Sequence, residues 1–260
     1  MSKKSKRWFP LESNPDVMNA YIKKMGFPTS QFSFCDVLST EEWALAMVPT
    51  PVVAVVMLFP IKPHTEEADK SEAARIKNDG QIVSPNVYYM RQTVGNACGT
   101  VGILHAVGNM RHLVQLAPES YLDNFFNKTK TRTPEEIAEY LEHDDELEET
   151  HSSAAEAGQS EVIVKDFSLF LLSLCGTLSC VLSLSLAVWT VTCTSSTDVR
   201  KVLLTTDLPL PTLFYSNGVI PYRILNALFQ DACQVIKKFM ARDEGEMRFT
   251  ILALAKTVTN

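Results

Sequence analysis

The sequence predicts an α/β (α+β) fold, a central sheet flanked by helices, on three observations. Val52 to Phe59 is a continuous apolar run rich in β-branched residues and reads as a buried central strand. Phe32 to Val37 alternates as a strand does, and Arg248 to Ala255 closes as an apolar strand that joins the same sheet. Asp16 to Met25, Thr133 to Glu142 and Leu225 to Met240 carry their apolar residues at helical spacing. At 260 residues the chain can build one sizeable core, or at most two small ones.

Pro10 to Pro15 reads as an extended approach to the first helix, capped by Asn14 or Ser13. Val17, Tyr21 and Ile22 form the inner face of that helix, and Gly26 stops it. Thr40 to Ala46 is a short helix led by Glu41 and Glu42. His64 to Asp79 is expected to be an exposed helix with Ala73, Ala74 and Ile76 as a weak inner face. Val87 to Met90 reads as a strand, Gly95 and Asn96 as a turn, and Ala97 to Met110 as a helix carrying Val101, Leu104, His105 and Val107. Ser120 to Phe126 is a further helix, and Thr133 caps the next one ahead of Pro134. Acidic Asp144 to Glu149 runs into Ser152 to Ser160, small and polar without a period, which reads as a solvated linker. Val202 to Tyr222, with Pro209, Pro211 and Pro221, gives no clean period. In the last helix Leu228, Ala232, Val235, Ile236 and Phe239 share one face.

A formal charge of −6 argues against nucleic acid as the main partner, because phosphate binding needs a basic face. The acidic surface suits a basic protein partner. The six cysteines (35, 98, 175, 180, 193 and 233) show neither metal-ligand spacing nor the framework of a small secreted domain. No metal and no cofactor is implied, and a reducing, cytoplasmic compartment is expected. Lys3, Lys4, Lys6 and Arg7 make a basic start with no apolar run behind it, which is not a signal peptide.

Cys98 opens a helix, where the macrodipole and unsatisfied N–H groups favour a thiolate. Gln92, six residues upstream, could offer an amide to the oxyanion formed when that sulfur attacks a carbonyl. A lone cysteine at the start of a buried helix is more often a small core residue than a nucleophile, so spacing alone leaves both readings open.

Gln92 with Asn96-Ala97-Cys98-Gly99-Thr100, together with Arg7-Trp8-Phe9-Pro10-Leu11-Glu12-Ser13-Asn14-Pro15, resembles the ubiquitin carboxyl-terminal hydrolase family of papain-like thiol enzymes in its short single-domain form. Met47-Val48-Pro49, Leu58-Phe59-Pro60-Ile61, Gln81 to Tyr89, Thr133-Pro134-Glu135-Glu136, Asp231 to Asp243 and Glu246 to Phe249 extend the resemblance in order along the chain. It implies a papain-like fold with a central, mostly antiparallel sheet in one domain over residues 1–260. It also implies a monomeric enzyme that releases small adducts or peptides from the terminal glycine of ubiquitin or a ubiquitin-like modifier. Cys98 would be the nucleophile and Gln92 the oxyanion stabiliser. Pro10, Leu11, Glu12, Ser13, Asn14 and Pro15, the loop near His151 to Glu161, and Glu246, Met247, Arg248 and Phe249 would meet the modifier, with Glu12 the strongest candidate. The loop at His151 to Glu161 would be the crossover loop that limits the size of the leaving group.

The resemblance breaks where the family carries its catalytic histidine in Asp-Leu-His-Phe and its aspartate in Leu-Tyr-Glu-Leu-Asp-Gly. Neither motif is present, and His64, His105, His112, His143 and His151 all precede that point. His105 lies two turns beyond Cys98, too far for a direct bond of about 3 Å, and reads as a packed helix residue. Phe167 to Thr197 instead has no charged residue, and Phe167 to Val191 is apolar enough to span a bilayer. A single-pass membrane protein is the third reading of the chain, after a hydrolase and a non-catalytic ubiquitin-binding pseudoenzyme.

The genetic code accounts for the stretch without a membrane. Leu, Ser and Phe are what pyrimidine-rich DNA encodes, such tracts precede splice acceptors, and Ala187-Val188 can be written GCA-GTN with a terminal AG. Trp189 to Asp198, read one base earlier, can encode Asp-Gly-His-Leu-Tyr-Glu-Leu-Asp-Gly, the missing aspartate segment. Two bases of every shifted codon are dictated by the residues present. Residues 162–221 are therefore expected to be aberrant: translated intron to about Ala187, then exon out of frame, with the frame regained before Asp231. Such a replacement is expected to remove at least two strands of the fold.

Spliced transcripts should lack the coding stretch for Phe167 to Ala187; finding it in this frame in every transcript would refute the reading.

Overall fold

The structure, a computed structural model, describes residues 6–61, 67, 71, 74, 78–79, 87–158, 178–185, 188–192 and 222–258. Helix α1 spans Pro15–Lys24, and it is Asn14 that caps it, accepting from the Asp16 N–H at 2.8 Å. Pro15 sits at the first turn, and Gly26 at φ +98° ends the helix in the left-handed region. Strand β1 (Phe32–Asp36), the short helix α2 (Glu42–Leu45) and strand β2 (Val52–Ile61) follow as expected. Of the stretch His64 to Asp79, residues 67, 71, 74, 78 and 79 are helical, but Ala74 is exposed and is not an inner-face residue. Ala73 and Ile76 lie outside the described residues.

Helix α3 (Cys98–Met110) is buried from Thr100 to Gly108 and again at Met110. A helix apolar on every side has to sit inside the protein, and this one forms the centre of the main core. Helices α4 (Tyr121–Thr129) and α5 (Pro134–Glu142) begin at Ser120 and Thr133. Thr133 and Glu136 make a reciprocal capping box: the Thr133 hydroxyl accepts from the Glu136 N–H at 3.3 Å and the Glu136 carboxylate from the Thr133 N–H at 2.7 Å.

Two expectations fail here. Val87 to Met90 pairs with no strand among the described residues; α3 side chains take its backbone hydrogen bonds instead. The Tyr88 N–H donates to Asn109 Oδ1 at 2.8 Å, Asn109 Nδ2 returns a bond to the Tyr88 carbonyl at 2.9 Å, and the Met90 N–H reaches His105 Nε2 at 3.1 Å. Of the linker expected over Ser152 to Ser160, the part to Glu156 is instead the end of helix α6 (Asp145–Glu156). Asp144 caps it by accepting from the Leu147 N–H at 3.0 Å, acids fill its first turn, and Leu147 and His151 form its buried stripe. A crossover loop therefore cannot begin at His151; residues 159–161 of that range lie outside the described residues.

Strands β3 (Leu178–Ser185) and β4 (Val188–Thr192) stand in the interval expected to lose two strands, so that expectation is also corrected. Helix α7 (Tyr222–Met240) and strand β5 (Thr250–Lys256) complete the described chain. The strands form one sheet in the order β1-β5-β2-β3-β4, every neighbouring pair antiparallel. Phe34 opposes Leu254, Val56 opposes Leu252 and also Ser183, and Leu182 opposes Val191.

Alternation along β2 and β5 separates two cores. Ala54, Val56, Leu252 and Leu254 join the cluster around α3. Val55, Met57, Phe59, Ile251, Ala253 and Ala255 face the other way, where Phe229, Ala232, Cys233, Ile236 and Phe239 of α7 cover them. The central antiparallel sheet thus has helices on both faces, as expected.

Leu254→Ala should cost about 2–5 kcal/mol by leaving a cavity beneath α3, and Thr133→Ala about 1 kcal/mol by losing a cap, both measured by urea denaturation.

Candidate active site

Cys98 is the first residue of α3, and Ala97 before it offers the helix no side-chain cap. The N-cap side chain therefore offers no acceptor to the N–H groups of the first turn, which carry the positive end of the helix dipole. Cys98 is half-buried and packs against the main core.

The turn before it is built around Asn96, at φ +62°. Asn tolerates the left-handed region, and its Nδ2 donates to the Trp8 carbonyl at 2.9 Å. Gly95 pairs with the N-terminal strip through both backbone groups: the Trp8 N–H reaches its carbonyl and its own N–H reaches Lys6 O, each at 2.9 Å. Leu11 then lies over Gly99, where an added Cβ would come within 3.1 Å of the Leu11 Cβ. Glu12 lies against Gly158, where a Cβ would stand 2.5 Å from Glu12 Oε2. Asn14 Nδ2 donates weakly to Glu12 Oε1 at 3.4 Å. Phe9 and Pro10 are exposed, while Leu11, Glu12, Ser13, Asn14 and Pro15 are half-buried.

Gln92 is buried, and its Nε2 donates to the Val94 carbonyl at 3.2 Å. Its Oε1 is buried with no partner among the described residues. His105 is a packed helix residue: Nε2 meets the Met90 backbone, the ring stacks on Tyr89 at 5.2 Å, and burial pushes its pKa down to about 4. His143 is exposed and bonds Glu139 O, and His112 is also exposed. His64 lies outside the described residues.

The sequence reading set His151 at the start of a loop and gave its side chain no role of its own. It is fully buried on α6, 4.6 Å from the Trp8 ring, and both ring nitrogens are bonded. Nε2 donates to the Phe9 carbonyl at 2.6 Å, which makes Nδ1 of the neutral ring an acceptor for the Thr100 hydroxyl at 2.7 Å. Thr100 Oγ1 accepts in turn from the Tyr21 hydroxyl at 2.9 Å. Burial lowers the His151 pKa, with the Phe9 bond and Glu148 opposing, so the neutral ring persists. Leu147 and His151, one turn apart behind an aspartate cap, were the available signal.

Glu246, Met247, Arg248 and Phe249 lead into β5. The Glu246 carboxylate accepts from the Met247 and Arg248 N–H groups at 3.0 and 2.8 Å and from the Arg248 guanidinium at 2.8 and 2.6 Å. Met247 is 86% exposed, whereas Phe249 packs with the α7 core, on the sheet face away from α3. Among the described residues no group of His, Cys, Asp and Glu could hold a metal ion.

Residues 8–169 match the family model described as "Ubiquitin carboxyl-terminal hydrolase, family 1". This chain belongs to the ubiquitin carboxyl-terminal hydrolase family. It is 36% identical over 259 residues to ubiquitin carboxyl-terminal hydrolase 3 of Arabidopsis thaliana, covering 98% of this chain and 97% of that protein. It is 31% identical over 247 residues to the human isozyme L1, covering 95% and 97%. The catalytic domain of Trichinella spiralis UCH37, solved bound to ubiquitin vinyl methyl ester, superposes with a TM-score of 0.64 at 16% identity, over 97% of this chain and 96% of that one. The family fold is thus the papain-like arrangement expected, and the family is one of cysteine-type hydrolases. No helix of the described residues is long and apolar enough to cross a membrane, and the parts of Phe167 to Val191 that are described are strands.

Iodoacetamide at neutral pH should modify Cys98 at least about tenfold faster than Cys35 or Cys233, since burial pushes those thiols up to about 11 and about 12; mass spectrometry of timed digests measures the order.

Proposed function

We propose that this chain is a ubiquitin-binding thiol hydrolase domain whose turnover is impaired. The observation that carries the reading is a half-buried thiol at the uncapped first position of a buried helix, beside an N-terminal strip held across its leading turn. Cys98 attacks the carbonyl of ubiquitin's terminal glycine, and the thioester is then hydrolysed. The carboxamide nitrogen of Gln92 has two hydrogens; with one on Val94, the other and the Cys98 backbone N–H serve the oxyanion. Pro10 to Pro15 meet ubiquitin, with Glu12 as the acid facing a basic, partly apolar surface, and Glu246 to Phe249 supply a second contact. The protein acts as a cytoplasmic monomer without a cofactor.

Impairment follows from proton bookkeeping. Attack needs the thiol's proton removed and the leaving group needs one supplied, each step worth about 10²–10⁴-fold when a positioned base does it. The five histidines of the chain all precede residue 152; among them His105 is two turns down α3, and His151 is bonded at both nitrogens. Residues 162–221 are an intron-derived, frame-shifted segment where the family's His and Asp motifs belong. The out-of-frame coding of the aspartate motif supports this, as does the end of the family match at residue 169. The bonded nitrogens of His151 also favour a second reading, a non-catalytic ubiquitin-binding pseudoenzyme.

Isothermal titration with ubiquitin and labelling by ubiquitin vinyl methyl ester test both. Binding with slow adduct formation, abolished by Cys98→Ser, is expected. Rapid labelling overturns the impairment, binding without any adduct selects the second reading, and no binding overturns both.

A further inference from the structure

Among the described residues the N-terminal strip from Lys6 to Glu12 has no strand partner beyond the single bridge between Arg7 and Gly95. Three of its carbonyls are taken one by one by groups reaching in from the turn ahead of α3 and from α6. Lys6 O takes the Gly95 N–H, Trp8 O takes Asn96 Nδ2, and Phe9 O takes His151 Nε2. The first two donors belong to the turn that leads into α3. The third comes from α6.

We propose that His151 is a positioning residue for ubiquitin binding, an imidazole clasp that locks this strip onto the start of the nucleophile helix. The hydrogen bonds run in one direction: Tyr21 O–H to Thr100, Thr100 O–H to His151 Nδ1, and His151 Nε2–H to the Phe9 carbonyl. This chain joins α1, α3, α6 and the strip, and it enters α3 at Thr100, two residues beyond Cys98. The imidazole ring also packs against Trp8, so it grips the strip by a carbonyl and by a side chain at once. With Phe9 held to α6, the next residues are set in register: Leu11 falls on Gly99 and Glu12 on Gly158, two sites that admit them because neither has a Cβ. Lys6, in an ion pair with Glu148 on the same helix and bonded to Glu142 O at 2.9 Å, anchors the other end of the strip. The role assigned to His151 rests on the strip being the ubiquitin-binding surface.

The test uses the full chain as wild type, His151→Ala and His151→Gln. A glutamine carries a donor and an acceptor about as far apart as the two imidazole nitrogens, so it can keep both bonds. Hydrogen exchange is followed at the Trp8 and Gly95 amides, with ubiquitin affinity measured in parallel. In His151→Ala both amides should exchange about tenfold faster and ubiquitin should bind about tenfold more weakly, while amides of α5 keep their rates. His151→Gln should restore both. Unchanged exchange in His151→Ala, or a loss that Gln does not restore, overturns the clasp. Should His151→Ala not fold, the ¹⁵N spectrum of the wild-type imidazole decides: a slowly exchanging Nε2–H supports the clasp and an Nδ1–H tautomer overturns it. Failure of the wild type to bind ubiquitin refutes the proposed function while exchange still reads the clasp. Faster exchange with unchanged affinity overturns the link between strip and ubiquitin.

Discussion

Burial of α3 on all its sides is the constraint from which the rest follows. A helix enclosed from Thr100 to Met110 can neither rotate nor slide without driving apolar side chains into one another, because protein interiors are close-packed. Its one end near the surface is then set in space, and the residue at that end is Cys98. The enclosure comes from three directions: Leu252 and Leu254 of the sheet, Tyr21 and Ile22 of α1, and Tyr88 from the extended segment, whose ring leaves no room for a Cβ at Gly108. A thiol on a loop would sample many positions. Here the buried helix sets its position.

The sheet that backs this helix is closed by the far end of the chain. Strand β5 lies between β1 and β2, so neither face exists until residues 250–256 have paired with residues 32–36 and 52–58. Such pairings close very long loops, whose entropy must be lost before the contacts form. Alternation along β5 serves both cores at once, Leu252 and Leu254 toward α3, Ile251, Ala253 and Ala255 toward α7. Burial of α3 is therefore coupled to packing of α7 on the opposite face, although the two helices share no side of the sheet.

Most of this was legible because it is written in local chemistry. Asn14, Ser120 and Thr133 are caps whose effect is complete within four residues, and the β-branched run of β2 needs no knowledge of its partners. The misses share a cause. Val87 to Met90 has the composition of a strand, but Asn109 and His105, some twenty and fifteen residues away, take its hydrogen bonds. Helix α6 was hidden by serines and acids that read as linker. Its buried stripe is narrow, Leu147 and His151, and one of the two is polar, so the apolar period is too weak to outweigh composition. The apolar run after Phe167 could be helix or strand by periodicity alone, and β3 and β4 occupy part of it. At the site, Cys98 and Gln92 lay inside one short motif, whereas His151 meets the strip across 142 residues, a distance no local pattern reports.

The rigidity that suits His151 to hold the strip also disqualifies it as a base for Cys98. To accept a proton from the thiol, Nδ1 would have to release Thr100, or Nε2 would have to release Phe9. Either change strands buried partners: the Thr100 hydroxyl and the Tyr21 phenol behind it on one side, a backbone carbonyl on the other. An unpaired buried polar group costs about 1–3 kcal/mol, and protonating a buried ring adds to it, since burial already lowers the His151 pKa. His105 fails for the same reason more strongly, with its pKa pushed down to about 4. All five histidines lie before residue 152. That the two buried rings are committed to other partners supports the proposed impairment.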